Sequence, residues 1–269
     1  MPLSLLSLFD PPVPARCVAF TGAGGKTSLL AALAAALTGE GRPVVVATTT
    51  HIWPPNRPAL SPLRGDGPFF CRDRALPDLA AELLVLFRAR PGRALVVGRD
   101  LDAATGKVRG LEPRELCALR ALLDDAVSDA LPPPVILVEA DGAARHPLKA
   151  HAEYEPAIPP CTDAAIAVMG LDALGRPLAE SVHRPERAAA LLGGDTARLV
   201  TPDMAATLLL HPNGPFRHAP ARRALMLNKS DLPGGEAAAL AVARAVAVLA
   251  PTLPCHTGSL AAGESRLLA

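Results

Sequence analysis

Lysine is scarce in this chain. Of its 27 basic residues only four are lysine, at Lys26, Lys107, Lys149 and Lys229. Arginine evidently serves wherever any cation suffices, so a retained lysine suggests a site that needs the compact ammonium and will not fit the planar guanidinium. Asparagine is as sparse, at Asn56, Asn213 and Asn228. Charge of one sign is missing too: 27 basic against 26 acidic residues leave a net +1. That balance gives no electrostatic ground for nucleic acid or an anionic membrane as a partner. The five cysteines, Cys17, Cys71, Cys117, Cys161 and Cys255, include no C-x-x-C pair. They are expected to be reduced cytoplasmic thiols, neither a disulfide frame nor a zinc knuckle. The seven histidines show no H-x-x-x-H spacing, which argues against structural zinc. No apolar run has the length of a membrane span. The opening MPLSLLSLFD lacks the basic n-region and long apolar core of a secretory signal.

What is present is hydrophobic and periodic. Half of the 269 residues are hydrophobic, enough for a sizeable core, and one domain spanning 1–269 is the simplest reading. Apolar runs at 17–20, 43–48, 94–97, 134–139, 164–169 and 223–228 read as strands. Helix-period segments fall at 27–38, 76–89, 112–128, 184–192, 203–210 and 235–249. The strands are too apolar to have a wet face, so the alternation predicts an α/β fold: a mostly parallel sheet with helices on both faces. The 29 prolines cluster at 11–14, 54–62 and 132–134, which read as connectors. The stretch 54–74 has no periodicity and is expected to be a flexible flap over the site or an ordered insertion.

Three stretches carry chemistry. CVAFTGAGGKTSLL, from Cys17, is a strand, a glycine turn and a helix opening on Gly25-Lys26-Thr27-Ser28. This is the setting of a phosphate-binding loop. Gly22, Gly24 and Gly25 would let backbone N–H groups curl around phosphate, with the helix N-terminus adding its dipole. Lys26 would reach the β- and γ-phosphates, and Thr27 would ligate Mg²⁺. Phe20 stands where the consensus wants glycine, so the loop is a variant. Second, PPVILVEADG delivers Glu139 and Asp141 to a strand end, where open α/β sheets bind ligands. Asp141 is the preferred metal partner; Glu139 could orient water or a second ligand. Third, a strand ends in Asn228-Lys229-Ser230-Asp231. In GTP-binding proteins N-K-x-D reads the guanine base: the aspartate accepts from the ring, the lysine lies along it and the asparagine fixes the adjacent loop. CHTGSL, 255–260, could be the loop that closes over the base.

Two weaker stretches follow. ATTTH places Thr49, Thr50 and His51 at a strand end. The threonines could contact γ-phosphate or Mg²⁺, or cap a turn. His51 could be a switch residue or bind a second substrate. Arg184 could bind phosphate or a carboxylate, and a surface helix cap explains it equally well.

Together FTGAGGKTS, ATTTH, EADGAARHPLKAHAEYEPAIP, GLDALGRPL, VHRPE and LNKSD resemble the selenium-dependent hydroxylase accessory protein family of YqeC type, from about residue 15 onward. The stretch 139–159 is the most specific part. Where that family has proline after P-L-K-A, this chain has His151. The resemblance implies a three-layer fold like that of P-loop NTPases. It also implies a role in maturing molybdenum hydroxylases that carry labile selenium. It suggests that Lys149 holds an anionic substrate across from the nucleotide. Three readings compete at this point. One is a GTP- and Mg²⁺-dependent accessory protein. Another is an ATP-dependent ligase or kinase of a small acid, since T-G-x-x-G-K-T also opens the ATP site of peptidoglycan precursor ligases. The third is a nucleotide-gated binding module without catalysis.

Overall fold

The apolar runs become strands buried on both faces. All six residues of β1 (Cys17–Gly22) and all five of β2 (Val44–Thr48) and β5 (Val135–Glu139) are buried. In the computed structural model, which describes residues 3–10, 12–52, 69–70, 74–90, 92–126 and 131–268, these join β3 (Phe69–Phe70), β4 (Ala94–Gly98), β6 (Ala164–Gly170), β7 (Arg223–Asn228), β8 (Cys255–Ser259) and β9 (Glu264–Leu267) in one sheet. The strand order is β9-β8-β7-β6-β1-β5-β2-β4-β3. Every neighbouring pair is parallel except β8 with β9. The expected mostly parallel, helix-covered sheet is therefore what forms. It is consistent with a three-layer architecture of P-loop NTPase type.

Side chains alternate between faces along each strand. Val18, Phe20, Val46, Leu137, Ile166 and Met226 point to the face covered by α1 (Lys26–Gly39) and a 3₁₀ turn at Ser4–Phe9. On the opposite face Val45, Ala47, Ile136 and Val138 meet α2 (Leu76–Ala89) and α3 (Pro113–Asp125). Farther along that face Met169, Leu225 and Leu227 share a cluster with residues of α4 (Leu178–Ser181), α5 (Pro185–Leu192), α6 (Pro202–Leu210) and α7 (Gly235–Leu249). Phe20 is fully buried; truncating such a ring to alanine costs about 3–5 kcal/mol. Among the described residues no helix is long and apolar enough to cross a membrane.

Most boundaries fall within two residues of expectation. The third helix starts at Pro113 because Glu112 is its cap, in a reciprocal box with Glu115. Three expectations change. CHTGS is no loop: it is β8, held between β7 and β9, and only Leu260–Gly263 turns over the sheet edge. Its short polar sequence carries no strand period of its own, so pairing decides. The cysteines are not all thiols: Cys117 on α3 and Cys161 before β6 are bonded, with Cα atoms 5.5 Å apart, while Cys17 and Cys255 are free and buried. A separation of 44 residues gave no sign of that pairing. Of the proposed flap, only residues 69–70 and 74 lie among the described residues, and 69–70 pair as β3 at the sheet edge.

Candidate functional site

Three glycines at positive φ turn the chain from β1 into α1: Gly22 (85°), Gly24 (72°) and Gly25 (138°). Each also lies where a Cβ cannot fit. An added Cβ at Gly22 would lie 2.4 Å from the Val168 carbonyl oxygen. At Gly24 it would lie 2.2 Å from the Gly170 nitrogen, and at Gly25 2.4 Å from Asn228 Nδ2. The consensus glycine is displaced from the core position of Phe20 to Gly22, where the turn begins. Not every N–H expected to face phosphate is available. Gly22 N donates to Asp141 Oδ2 (3.0 Å), Ala23 N to the Val168 carbonyl (2.8 Å) and Gly24 N to the His146 carbonyl (3.1 Å). The first helical hydrogen bond runs from Leu29 N to Gly25 O. The N–H groups of Lys26, Thr27 and Ser28 therefore have no intrahelical acceptor and face the cleft end of the dipole.

Glu139 and Asp141 take different places. β1 and β5 are neighbours with Phe20 opposite Glu139, so the strand end lies beside the loop. Thr27 Oγ1 donates to Glu139 Oε2 at 2.7 Å, and both line a cleft of about 1330 Å³. Asp141 has no exposed surface. It lies beneath the loop, with Lys26 Nζ at 3.1 Å, Lys149 Nζ at 3.3 Å and His151 Nε2 at 2.7 Å. Lys26 also donates to the Gly22 carbonyl at 2.7 Å. Burial lowers the Lys26 pKa, but the Asp141 and Glu139 carboxylates outweigh it and hold the ammonium above its ordinary value. Burial raises Asp141, yet the Lys26 charge and the His151 hydrogen bond leave it well below the carboxylate range. Glu139 is pushed up by burial, with Lys26 and Thr27 opposing.

The far end of the cleft is built by β7. Asn228 Nδ2 donates to the Gly24 carbonyl at 2.8 Å, while its Oδ1 accepts from Leu260 N at 3.1 Å. One side chain thus ties the glycine loop to the turn after β8. Lys229 has a left-handed φ of 73° and pairs with Asp172 at 2.5 Å. Asp231 is exposed and lines the same cleft.

The family model described as YqeC protein matches residues 18–186. A protein of Escherichia coli (strain K12), described as uncharacterized protein YqeC, is 37% identical over 219 residues, covering 79% of this chain and 75% of that protein. The chain belongs to the YqeC family. The matched span takes in the glycine loop, the β5 end and the 139–159 stretch that carried the resemblance.

Four other candidates, Lys149, Arg184, Thr49 and Thr50, do not line the cleft in this YqeC fold. The Lys149 side chain is wholly buried, bonded to Asp141, to Glu155 at 3.0 Å and to the Gly142 carbonyl. It shares a carboxylate with Lys26 but presents no surface to a ligand. Arg184 pairs with Glu155 at 2.6 Å and lies 5.7 Å from the Tyr154 ring centre. It stands at the left-handed N-cap position of α5 and makes no side-chain cap hydrogen bond there. Thr50 N and Oγ1 both bond Thr48 Oγ1, so this threonine shapes the turn, while Thr49 Oγ1 is buried without a partner. His51 does line the cleft, 3.7 Å from Asp102. Sequence reasoning gave no role in the site to Lys107, Arg145, His146 or Asp172, which line it as well. The scarcity of lysine was the one signal that could have drawn attention to Lys107.

Proposed function

We propose that this cleft binds a Mg²⁺–nucleoside triphosphate, with guanine preferred. We further propose that nucleotide hydrolysis or phosphoryl transfer there serves the maturation of selenium-dependent molybdenum hydroxylases. The observation that carries the nucleotide reading is the Asn228 bridge: the N-K-S-D segment is bonded directly to the glycine loop. The residues proposed to read the base and to bind phosphate therefore line one cleft. Lys26 and the opening N–H groups of α1 would hold the phosphates, and Asp231 the base. The client enzyme comes from the family resemblance alone.

The donors suit Mg²⁺. No group of three or more His, Cys, Asp or Glu side chains is arranged as a cage among the described residues. The Thr27 hydroxyl with the Glu139 carboxylate is the sparse oxygen set that Mg²⁺ takes when phosphate and water complete its shell. Glu139 replaces Asp141 in this role, because Asp141 is occupied under the loop. The cation would neutralise charge on the phosphate oxygens.

Binding of Mg–GTP and Mg–ATP to the purified protein and to Asp231→Ala tests the reading. GTP is expected to bind more tightly, and the variant to lose about 1–3 kcal/mol for GTP alone, since base donors are left unpaired. Equal affinity for ATP would move the protein to the ligase or kinase class. Absence of nucleotide binding would remove the proposal. For the accessory role, a Lys26→Ala gene is expected not to restore hydroxylase activity in a deletion host.

A further inference from the structure

The cleft is roomy for a single small ligand. At about 1330 Å³ it exceeds the roughly 300–1,000 Å³ of an ordinary small-molecule pocket. Part of its wall is apolar, along Leu3, Leu6 and the Ala31–Ala36 face of α1, and part is basic. His51, Lys107, Arg145 and His146 line it together with Lys26, while Glu139 is engaged by Thr27. His51 and Lys107 arrive on a short ribbon in which His51–Ile52 pairs with Val108–Arg109, beyond the end of β2. This places them on the opposite side of β1 from Asn228 and Asp231, because β7 and β2 flank β1 on different sides.

Arg145 is held at a cost. Ala144 (φ 45°) and Arg145 (φ 67°) are consecutive left-handed residues, and neither is glycine. Such backbone persists only where its surroundings enforce it. Here they do. The segment 142–147 arches over the end of β1, with the His146 carbonyl taking Gly24 N (3.1 Å) and the Pro147 carbonyl taking Gly170 N (2.8 Å). From below, buried Lys149 Nζ donates to the Gly142 carbonyl. Lys149 thus acts as a post for the arch, and the arch presents Arg145 to the cleft. Arg145 is exposed. A guanidinium offers a planar fork suited to phosphate or carboxylate.

We infer that the part of the cleft walled by His51, Lys107, Arg145 and His146 is a second subsite. It would take a small anionic molecule bearing phosphate or carboxylate groups, with Arg145 as its main anchor. The inference rests on the nucleotide reading only for what occupies the neighbouring half. It gives that reading a co-substrate class: an acid placed next to the terminal phosphate.

The test saturates the protein with Mg²⁺ and a non-hydrolysable GTP analogue, then titrates inorganic phosphate and, separately, citrate. One of these probes is expected to bind. Arg145→Ala should weaken it at least tenfold, with Arg145→Lys recovering part, while analogue affinity changes less than twofold. Whether phosphate or citrate binds more tightly tells which acid the subsite prefers. Failure of both probes to bind the loaded protein would overturn the inference. So would an Arg145→Ala protein that loses affinity for the triphosphate analogue but not for GDP, because Arg145 would then be a γ-phosphate contact. If the protein binds no nucleotide, probe binding that depends on Arg145 and survives Lys26→Ala would retain the subsite and remove the nucleotide reading.

Discussion

Lys26 and Lys149 lean on the same carboxylate from two sides. Lys26 reaches Asp141 Oδ1 from the glycine loop and still borders the cleft, whereas Lys149 reaches Oδ2 with no side-chain exposure. Their titration is opposite in sense: the carboxylates raise Lys26, and burial lowers Lys149 despite Asp141 and Glu155. An ammonium at a cleft rim can exchange its protein partner for a ligand. One sealed beneath a loop cannot, and its charge is spent on holding backbone and carboxylates in place. Chemistry-bearing residue types near a strand end therefore divide into those that meet ligand and those that shape the ground under it.

The sharpest break of this pair is Lys149→Ala. It leaves Asp141 and Glu155 short of a buried partner, so unfolding free energy is expected to fall by about 3–5 kcal/mol in denaturant melts. Lys149→Arg should also destabilise, since a sealed site has no room for the fork. A silent exchange would return Lys149 to the ligand-facing class. Lys26→Ala should cost less stability, because Asp141 keeps Gly22 N, Lys149 and His151. Its larger effect is on triphosphate binding, weakened about a hundredfold, or roughly 2.7 kcal/mol. Thr27→Ala and Glu139→Gln should each shift the Mg²⁺ dependence of binding by about tenfold. Unaltered Mg²⁺ titrations would place the cation elsewhere.

A smaller contrast separates two buried imidazoles. Burial lowers both, but Asp141 opposes it at His151, whereas His256, bonded to the Ser4 hydroxyl at 2.7 Å, is pulled down to about 4. A folded value below the unfolded 6.5 means that the unfolded chain binds the extra proton. His256 thus favours the native state fully above pH 6.5, and this contribution is lost as pH falls from 6.5 toward 4. For a ring that keeps some solvent the loss is about 1–2 kcal/mol. Melts of His256→Gln should lose that part of the slope between pH 6.5 and 4 and keep the part from His151 and His183, which burial also lowers.

The sheet was legible because its strands are uninterrupted apolar runs, and the loop because Gly-Lys-Thr follows one of them. Asn228 was assigned a loop-fixing role that its two hydrogen bonds fit. The choice between Glu139 and Asp141 was not legible. Glu139 ends β5 and Asp141 follows two residues later, and only the register opposite Phe20 decides which carboxylate meets Thr27. Lys149 misled because sequence shows charge and hides burial. Arg145 was one arginine among many until its backbone conformation set it apart.

The Asn228 bridge has a thermodynamic consequence. Gly24 and Leu260 are joined through one amide, so ordering either end of the cleft partly orders the other. A fragment filling one end then lowers the entropic cost for a fragment at the other, and their free energies of binding are not additive. Guanosine and pyrophosphate, added as separate molecules, should each tighten the other's binding by the same factor, as linkage requires. In Asn228→Ala the two fragments should bind as strangers.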